Sequence, residues 1–392
     1  MPGYQEWFYS CEANFIGIVQ HNPDSTKRII ASRQIRALHF SYNRNLSAVV
    51  LATAELIHTS VEKNISGKKL PEVNPQTVST EVSTVKRQIP VRIPNSVKLL
   101  IGFIKLFIRA GIRFVAGRFY HAEAWSLFYK SSVSKTPWND LNQYTPLLPP
   151  KDKIWADPFI ISDANENYVF LEEMTYGGKG RIICMHLNAK GETINVQPVI
   201  EKPFHLSYPF LIQHDETWYM IPESSENNTV DLYECVGFPY QWKLRKNLLS
   251  GIKALDSTIV RHNEKFWLFC TVQSHDCGSP NDALHIYFTD DLLNGEWKPH
   301  RNNPVMLDAY NARPAGNFFM HEGNLYRPAQ ICIPDYGMNI GLNRVLELTE
   351  DTYREERITR LKLEEHNIYK IHTFNFTEHF TIVDGALRRF KF

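Results

Sequence analysis

The sequence predicts an all-β fold, a five-bladed β-propeller that follows an α-helical N-terminal extension. Three observations point there. Beyond Pro149-Pro150, short β-rich runs are divided by turn signals roughly every 8–12 residues. These runs stack into an internal repeat of about 50 residues. Each repeat opens with the same strand–polar turn–strand hairpin, which a sandwich would not require, and four strands in each of five repeats make a propeller.

Residues 1–95 read as an extension and linker. A helix is expected within 27–60, built on the run Leu46–His58, and 61–95 is polar and punctuated by Pro71, Pro75, Pro90 and Pro94. Residues 96–150 hold a basic amphipathic helix and a connection. The helix covers 96–120, with Asn95 or Ser96 as its cap, and Lys105, Arg109 and Arg113 recur every fourth residue among Leu, Ile, Phe and Val. Residues 86–130 carry nine Lys or Arg and one acid, Glu123. Two readings stand: peripheral contact with an anionic membrane surface through 96–120, or a helix docked on the neighbouring domain. A membrane span is disfavoured by cations at 105, 109, 113 and 118.

Residues 151–392 form the propeller. Its first strands open with ADPFIIS at Ala156, SYPFLIQ at Ser207, LDSTIVR at Leu255, ARPAGNFF at Ala312 and IHTFNF at Ile371. Polar turns follow at 163–167, 214–217, 262–265 and 321–324, and the returning strands are YVFLEE, WYMIPE, FWLFCT, LYRPAQ and FTIVDG. Third strands are expected at RIICMHL, TVDLYECV and ALHIYFTD, and fourth strands at INVQPVI, WKLRKNL and WKPHRNN. The fifth repeat is short, so AWSLFYK (124–130) is expected to complete it.

The hairpin brings the start of each first strand beside the end of the second. Asp157 then faces Glu172, Tyr208 faces Glu223, Asp256 faces Thr271, Arg313 faces Gln330 and His372 faces Asp384. A structural rule would repeat one residue; five unlike polar groups suit a site. Two carboxyls of unequal proton affinity across a funnel can perform glycosyl chemistry, one as acid and one as base or nucleophile. Asp157, Glu223 and Asp256 are the catalytic candidates, each weighed against a turn or capping role, with Glu172 and Glu173 behind them. Arg313 and Arg327 are candidate anion clamps, or partners of the channel acids. His205, Tyr208, Gln330 and His372 complete the candidate substrate-binding set, and Tyr208 and Trp155 are candidates for stacking on sugar faces.

The 392 residues are 43% hydrophobic, 12% aromatic and 22% charged, with a net charge of +1. That excludes wholesale disorder and a general polyanion binder. Six cysteines are scattered without a C-x-x-C pair, which disfavours a disulfide scaffold and a zinc ribbon. No secretory signal is evident in the first 30 residues, so a cytoplasmic chain is expected, peripheral at the inner membrane face under the membrane reading. P-loop, G-x-S-x-G, H-E-x-x-H and EF-hand patterns are absent, and His275-Asp276-Cys277 is a weak metal signal. No cofactor, metal or nucleic-acid partner is expected.

WADPFI, SYPFLI, MIPES, LDSTIV, NARPAG, LYRPAQ and HTFNF together resemble the N-terminal propeller domain of plant glucosamine inositolphosphorylceramide transferases and their bacterial cousins, over about residues 150–390. That family is related in fold to the five-bladed glycosidases, such as arabinanases and invertases. The resemblance implies a base or nucleophile at Asp157, in its A-D-P context. It departs at Tyr208, where those glycosidases carry a second-blade Asp, and at Asp256, where arabinanase-like enzymes carry a catalytic Glu. It further implies work in surface-polysaccharide or glycolipid synthesis. In the plant enzymes the transfer chemistry is assigned to a separate C-terminal domain. The expectation is therefore glycosyl transfer or hydrolysis on a phosphorylated or lipid-linked sugar, with a non-catalytic glycan-binding module serving a glycosyltransferase partner as the alternative.

Overall fold

The computed structural model describes residues 12–22, 26–38, 42–68, 70, 96–131, 136–139, 143–163, 166–275, 278–361 and 367–390. The chain divides into two compact units, one built on residues 1–122 and the other on 123–276 and 280–388.

The first unit is not purely helical. Strands β1 (Ala13–His21) and β2 (Lys27–Arg36) form an antiparallel hairpin, and α1 (Tyr42–Ile65) packs on it. Ile35, Val49 and Ala52 make the small core between them. Asn14 donates to Asn45 Oδ1 at 2.9 Å, and Arg33 pairs with Glu55. The expected helix is present around Leu46–His58, but 27–36 is a strand. Its alternation is hidden in the sequence because Arg33 and Gln34 are both buried, one on each side of the ribbon. Of the expected linker, 61–65 is the last turn of α1, and 71–95 lies outside the described residues. Helix α2 (Ser96–Phe119) follows the prediction. No described helix is long and apolar enough to cross a membrane.

The second unit is a five-bladed propeller. Blade one holds β5 (Lys153–Asp163), β6 (Glu166–Thr175), β7 (Arg181–Leu187) and β8 (Thr193–Ile200). Blade two holds β9 (Ser207–His214), β10 (Thr217–Ser224), β11 (Thr229–Gly237) and β12 (Gln241–Ser250). Blade three holds β13 (Ala254–His262), β14 (Lys265–Val272), β15 (Ala283–Thr289) and β16 (Lys298–Pro299), with β17 (Met306–Leu307) also on β15. Blade four holds β18 (Phe319–His321), β19 (Asn324–Ile331), β20 (Asn339–Leu348) and β21 (Tyr353–Arg360). In blade five, β22 (Phe374–Phe376) and β23 (Phe380–Phe390) are joined by β3 (Tyr120–Ser131) and β4 (Thr145–Leu147) in the order β22-β23-β3-β4. The segment 124–130 therefore completes the ring, and blade five reaches four strands like its neighbours.

The core sits in the seams between blades. One cluster runs from Phe159 and Phe170 through Met220 and Ile221 to Ile259 and Leu268, joining blades one, two and three. Trp267 and Phe269 of blade three meet Leu348 of blade four, and Ile340 and Leu342 meet Phe374 and Val383 of blade five. Leu127, Phe380 and Ile382 then meet Val169 and Leu171 of blade one, closing the circle. Blades two and three turn with both central residues at positive φ, Asp215-Glu216 and Asn263-Glu264, the geometry that matches the twist of paired strands.

Blades one, two and three share one more device. Ala156 pairs Glu172 and Phe159 pairs Phe170, so Asp157-Pro158 stands opposite a single residue. The same two-against-one step occurs at Tyr208-Pro209 and at Asp256-Ser257. The first residue of each bulge is left-handed, with φ of 52°, 43° and 52° at Asp157, Tyr208 and Asp256. Such bulges re-aim a side chain, and a non-glycine residue is held there only by its surroundings.

Candidate functional site

The bulge of blade one opens onto a cavity of about 220 Å³. Blade one supplies Asp157 and Glu172, blade two Glu223, blade four Arg313 and blade five His372. His205, Ser207, Trp125 and Tyr336 complete its polar and aromatic wall, and Ile154, Ala156 and Met174 its apolar one.

One network surrounds Asp384. Its Oδ1 accepts the backbone amides of His372 and Thr373, both at 2.9 Å, and its Oδ2 accepts the amide of Asp157 at 3.0 Å. His372 Nδ1 lies 2.5 Å from the same Oδ2 and 3.5 Å from Asp157 Oδ1. Thr373 Oγ1 donates to Asp157 Oδ1 at 2.6 Å, and the indole of Trp125 stacks on the His372 ring at 3.9 Å. Burial pulls the His372 imidazole toward neutrality, but Asp384 and Asp157 outweigh it and raise its pKa. Burial also pushes the Asp157 carboxyl up, to about 6, against the lowering effect of His372.

The second network centres on Asp256, which lies behind the wall. Arg313 grips it with two nitrogens, Nε at 2.6 Å and Nη2 at 3.2 Å, and Gln330 Nε2 adds a third bond at 2.7 Å. This is a bidentate guanidinium–carboxylate pair in a buried setting. The Tyr336 ring lies under the same guanidinium, 4.9 Å from its centre.

Glu172 and Glu223 lack such compensation. Glu223 Oε1 accepts from Ser225 Oγ at 2.8 Å, whereas Oε2 is buried without a hydrogen bond, 3.6 Å from Arg313 Nη2. Burial, then the nearby Asp256, raises the Glu223 pKa to about 8 although Arg313 opposes the shift. Glu172 is raised well above the usual carboxyl range by burial and by the charges of Asp157, Glu223 and Asp256. Its neighbour His205 has Nε2 at 3.5 Å. The Gly180 amide donates to His205 Nδ1 at 2.9 Å, so the neutral ring carries its proton on Nε2, toward Glu172. Burial keeps that ring neutral by lowering its pKa. A Cβ at Gly180 would stand 2.4 Å from the Leu206 carbonyl and 2.6 Å from Glu172 Oε1, so only glycine allows this approach.

The structure thus brings Asp157, Glu172, Glu223, His205, Arg313 and His372 together at one cavity, and places Asp256 and Gln330 immediately behind Arg313. Tyr208 and Arg327 are not in the wall. The Tyr208 hydroxyl is sealed into the blade seam, 2.8 Å from Thr258 Oγ1 and accepting the Gly316 amide at 2.7 Å, with its ring edge-on to Phe159. Arg327 is fully buried inside blade four, where it pairs with Glu355 at 2.7 and 2.8 Å. Strand parity explains that placement: Gln330 points to the site, so Arg327, three residues earlier, points away. Trp155 Nε1 donates to Glu173, which also binds Lys153 and Arg181, so neither residue faces the cavity. Trp125 and Tyr336 add a ring each to the wall from outside the repeated hairpins, where no stacking of repeats could single them out.

Donor atoms of Asp157, His372 and Asp384 lie within 4.8 Å of one another, the reach of a metal-binding trio. At 2.5 Å, His372 Nδ1 and Asp384 Oδ2 are in direct contact, closer than the roughly 2.7–2.9 Å of a charge-assisted N–H···O bond. Two ligands of one tetrahedral ion stand roughly 3 Å apart, so this arrangement fits a shared proton better than an ion. Of the weak signal at 275–277, Asp276 and Cys277 lie outside the described residues.

Comparison with known proteins adds a family. Residues 150–379 match the family model described as "Glucosamine inositolphosphorylceramide transferase 1, N-terminal". The chain is 32% identical over 209 residues to glucosamine inositolphosphorylceramide transferase 1 of Arabidopsis thaliana, covering 52% of this chain and 27% of that one. It is 31% identical over 206 residues to the protein of that description in Oryza sativa subsp. japonica, again covering 27% of the relative. Among solved structures, a family 117 glycoside hydrolase of Zobellia galactanivorans aligns with a TM-score of 0.42 and 11% identity over 67% of this chain and 90% of that one. An α-L-arabinofuranosidase of Lactobacillus brevis aligns with a TM-score of 0.42 and 14% identity over 60% of this chain and 91% of that one.

Proposed function

Starting from a chain that belongs to the glucosamine inositolphosphorylceramide transferase 1 N-terminal family, we propose that its propeller acts on a single sugar unit by glycosyl transfer or hydrolysis. Asp157 is the base or nucleophile and Glu223 the proton donor. The observation that carries this reading is one cavity holding two buried carboxyls of unequal proton affinity, Asp157 at about 6 and Glu223 at about 8. Near neutral pH the first is mostly ionised and the second mostly protonated, the division of labour that glycosidic bond chemistry requires. Asp256 is better suited to fixing Arg313 than to donating a proton, because both its oxygens already accept bonds from that guanidinium.

The cavity favours an uncharged sugar over the phosphorylated one expected from two arginine clamps. Arg313 is held by Asp256, Arg327 is spent on Glu355, and the remaining wall is rich in carboxyls. At about 220 Å³ it suits one ring, below the roughly 300–1,000 Å³ of sites for larger ligands. The relatives' description names glucosamine and an inositol-phosphate lipid, inositolphosphorylceramide, which supports a role in cell-envelope glycolipid or polysaccharide synthesis. Free thiols at Cys184, Cys235, Cys270 and Cys332 fit a cytoplasmic setting.

A second reading has its own support. The chain covers 27% of its curated relatives, so the propeller could serve as a glycan-binding module for a glycosyltransferase partner. Asp157→Asn separates the two in a screen of aryl glycosides and sugar nucleotides. Loss of turnover with binding retained supports catalysis; turnover that survives the substitution removes Asp157 from the mechanism. A wild-type chain that binds sugar without converting any supports the module.

A further inference from the structure

We infer that helix α2 seats the protein on an anionic lipid surface, lying in the plane of the headgroups. This rests on the first unit alone and is independent of the propeller's chemistry. Leu100, Ile104, Phe107, Ile108, Phe114 and Val115 recur at steps of three, four and seven residues, which puts them on one side of the helix. All six are solvent-exposed, and Phe107 and Phe114 reach 75%. A water-facing stripe of that length and size is unusual for a soluble surface and marks a surface that something else covers.

The charge of the segment decides what covers it. Residues 96–119 contain Lys98, Lys105, Arg109, Arg113 and Arg118 and no Asp or Glu. A second copy of this helix would bring ten cations together with no acid between them, so self-association works against its own electrostatics. A protein partner would need a groove both apolar and strongly acidic. An anionic bilayer supplies apolar depth and negative charge at once, and each basic residue near it strengthens binding by about fivefold. The helix lies on the surface without crossing it, because it is not long and apolar enough to span.

The test is flotation of the full chain with vesicles of phosphatidylcholine alone and with about one third phosphatidylglycerol added. The chain should float with the anionic vesicles at low salt and lose on the order of tenfold in partitioning at high salt. Phe107→Ser with Phe114→Ser should lower partitioning by on the order of tenfold while leaving the thermal transition of the propeller unchanged. Equal flotation with both vesicle types, or binding indifferent to the double substitution, overturns the proposal. So does an absence of flotation, whether the chain stays monomeric or light scattering shows a concentration-dependent dimer.

Discussion

The Asp384 carboxylate joins the two ends of the propeller's ring: its Oδ2 accepts the Asp157 amide of blade one at 3.0 Å while lying 2.5 Å from His372 Nδ1 of blade five. All the groups around it are donors, since the amides of His372 and Thr373 bind its other oxygen. Asp384→Asn would turn an NH₂ toward one set of donors and leave buried amides unpaired. The expected loss is about 1–3 kcal/mol, read as a drop of several degrees in a calorimetric melt. An unchanged melt would show that the carboxylate does not organise this corner.

Activity should follow a bell in pH. Asp157 must be ionised, which sets the acid limb near 6, and Glu223 must be protonated, which sets the alkaline limb near 8. Glu223→Gln should abolish turnover of glycosides with poor leaving groups and spare part of it where the leaving group needs no proton. A profile of kcat/KM that keeps its alkaline limb in the Gln variant would assign that limb to another group.

Stability should fall as pH rises from about 5 to about 8. Asp157, Glu172, Glu223 and His372 all have folded-state pKa values above their ordinary ones. Across that window the native state therefore binds more protons than the unfolded chain, and stability present below the unfolded values is lost as each folded value is passed. The total is on the order of a few kcal/mol, since a tenfold rise in proton affinity on folding is worth about 1.4 kcal/mol and the groups interact. Glu223→Gln should flatten the fall, making the variant relatively more stable at pH 8.5 than at pH 5.5. Carboxylates lowered by partners, such as Glu173 with Arg181, work in the opposite sense at more acidic pH. A wild-type melting temperature that rises between pH 5.5 and 8.5 would contradict the sign.

The propeller should depend on a strand far from its repeats. Phe128 of β3 is fully buried against Ile340, Phe374 and Val383. Phe128→Ala should destabilise the whole ring by about 3–5 kcal/mol in a single cooperative denaturant transition. A biphasic transition, with four blades surviving, would mean that blade five folds apart from the rest.

Much of this was readable in the sequence because a repeat displays its own register. Stacking the five hairpins located the turns and the facing pair Arg313–Gln330, whereas the bulges of blades one to three move the expected pairs by one residue, so that Ala156, Ser207 and Leu255 stand opposite Glu172, Glu223 and Thr271. What stacking could not show was direction. At Tyr208 the backbone makes the same left-handed step as at Asp157 and Asp256, but the larger side chain finishes in the seam beside Phe159. At Arg327 the two-residue alternation of β19 decided against the cavity. The N-terminal hairpin escaped notice because Arg33 and Gln34, buried on opposite sides of the ribbon, are polar residues that break the apolar period. The matched family region, 150–379, likewise omits β3, β4 and the whole of β23, strands that complete blade five.

The pairing of β3 with β23 has a consequence for biosynthesis. The first propeller strand to leave the ribosome is docked against the last, so blade five cannot be assembled while the middle of the chain is still being made. Until then β3 has its exposed edge and its apolar face waiting in solution, the state in which nascent chains aggregate or recruit chaperones. Translation that pauses before β23 should therefore leave a protease-sensitive, chaperone-bound intermediate rather than a smaller stable barrel of blades.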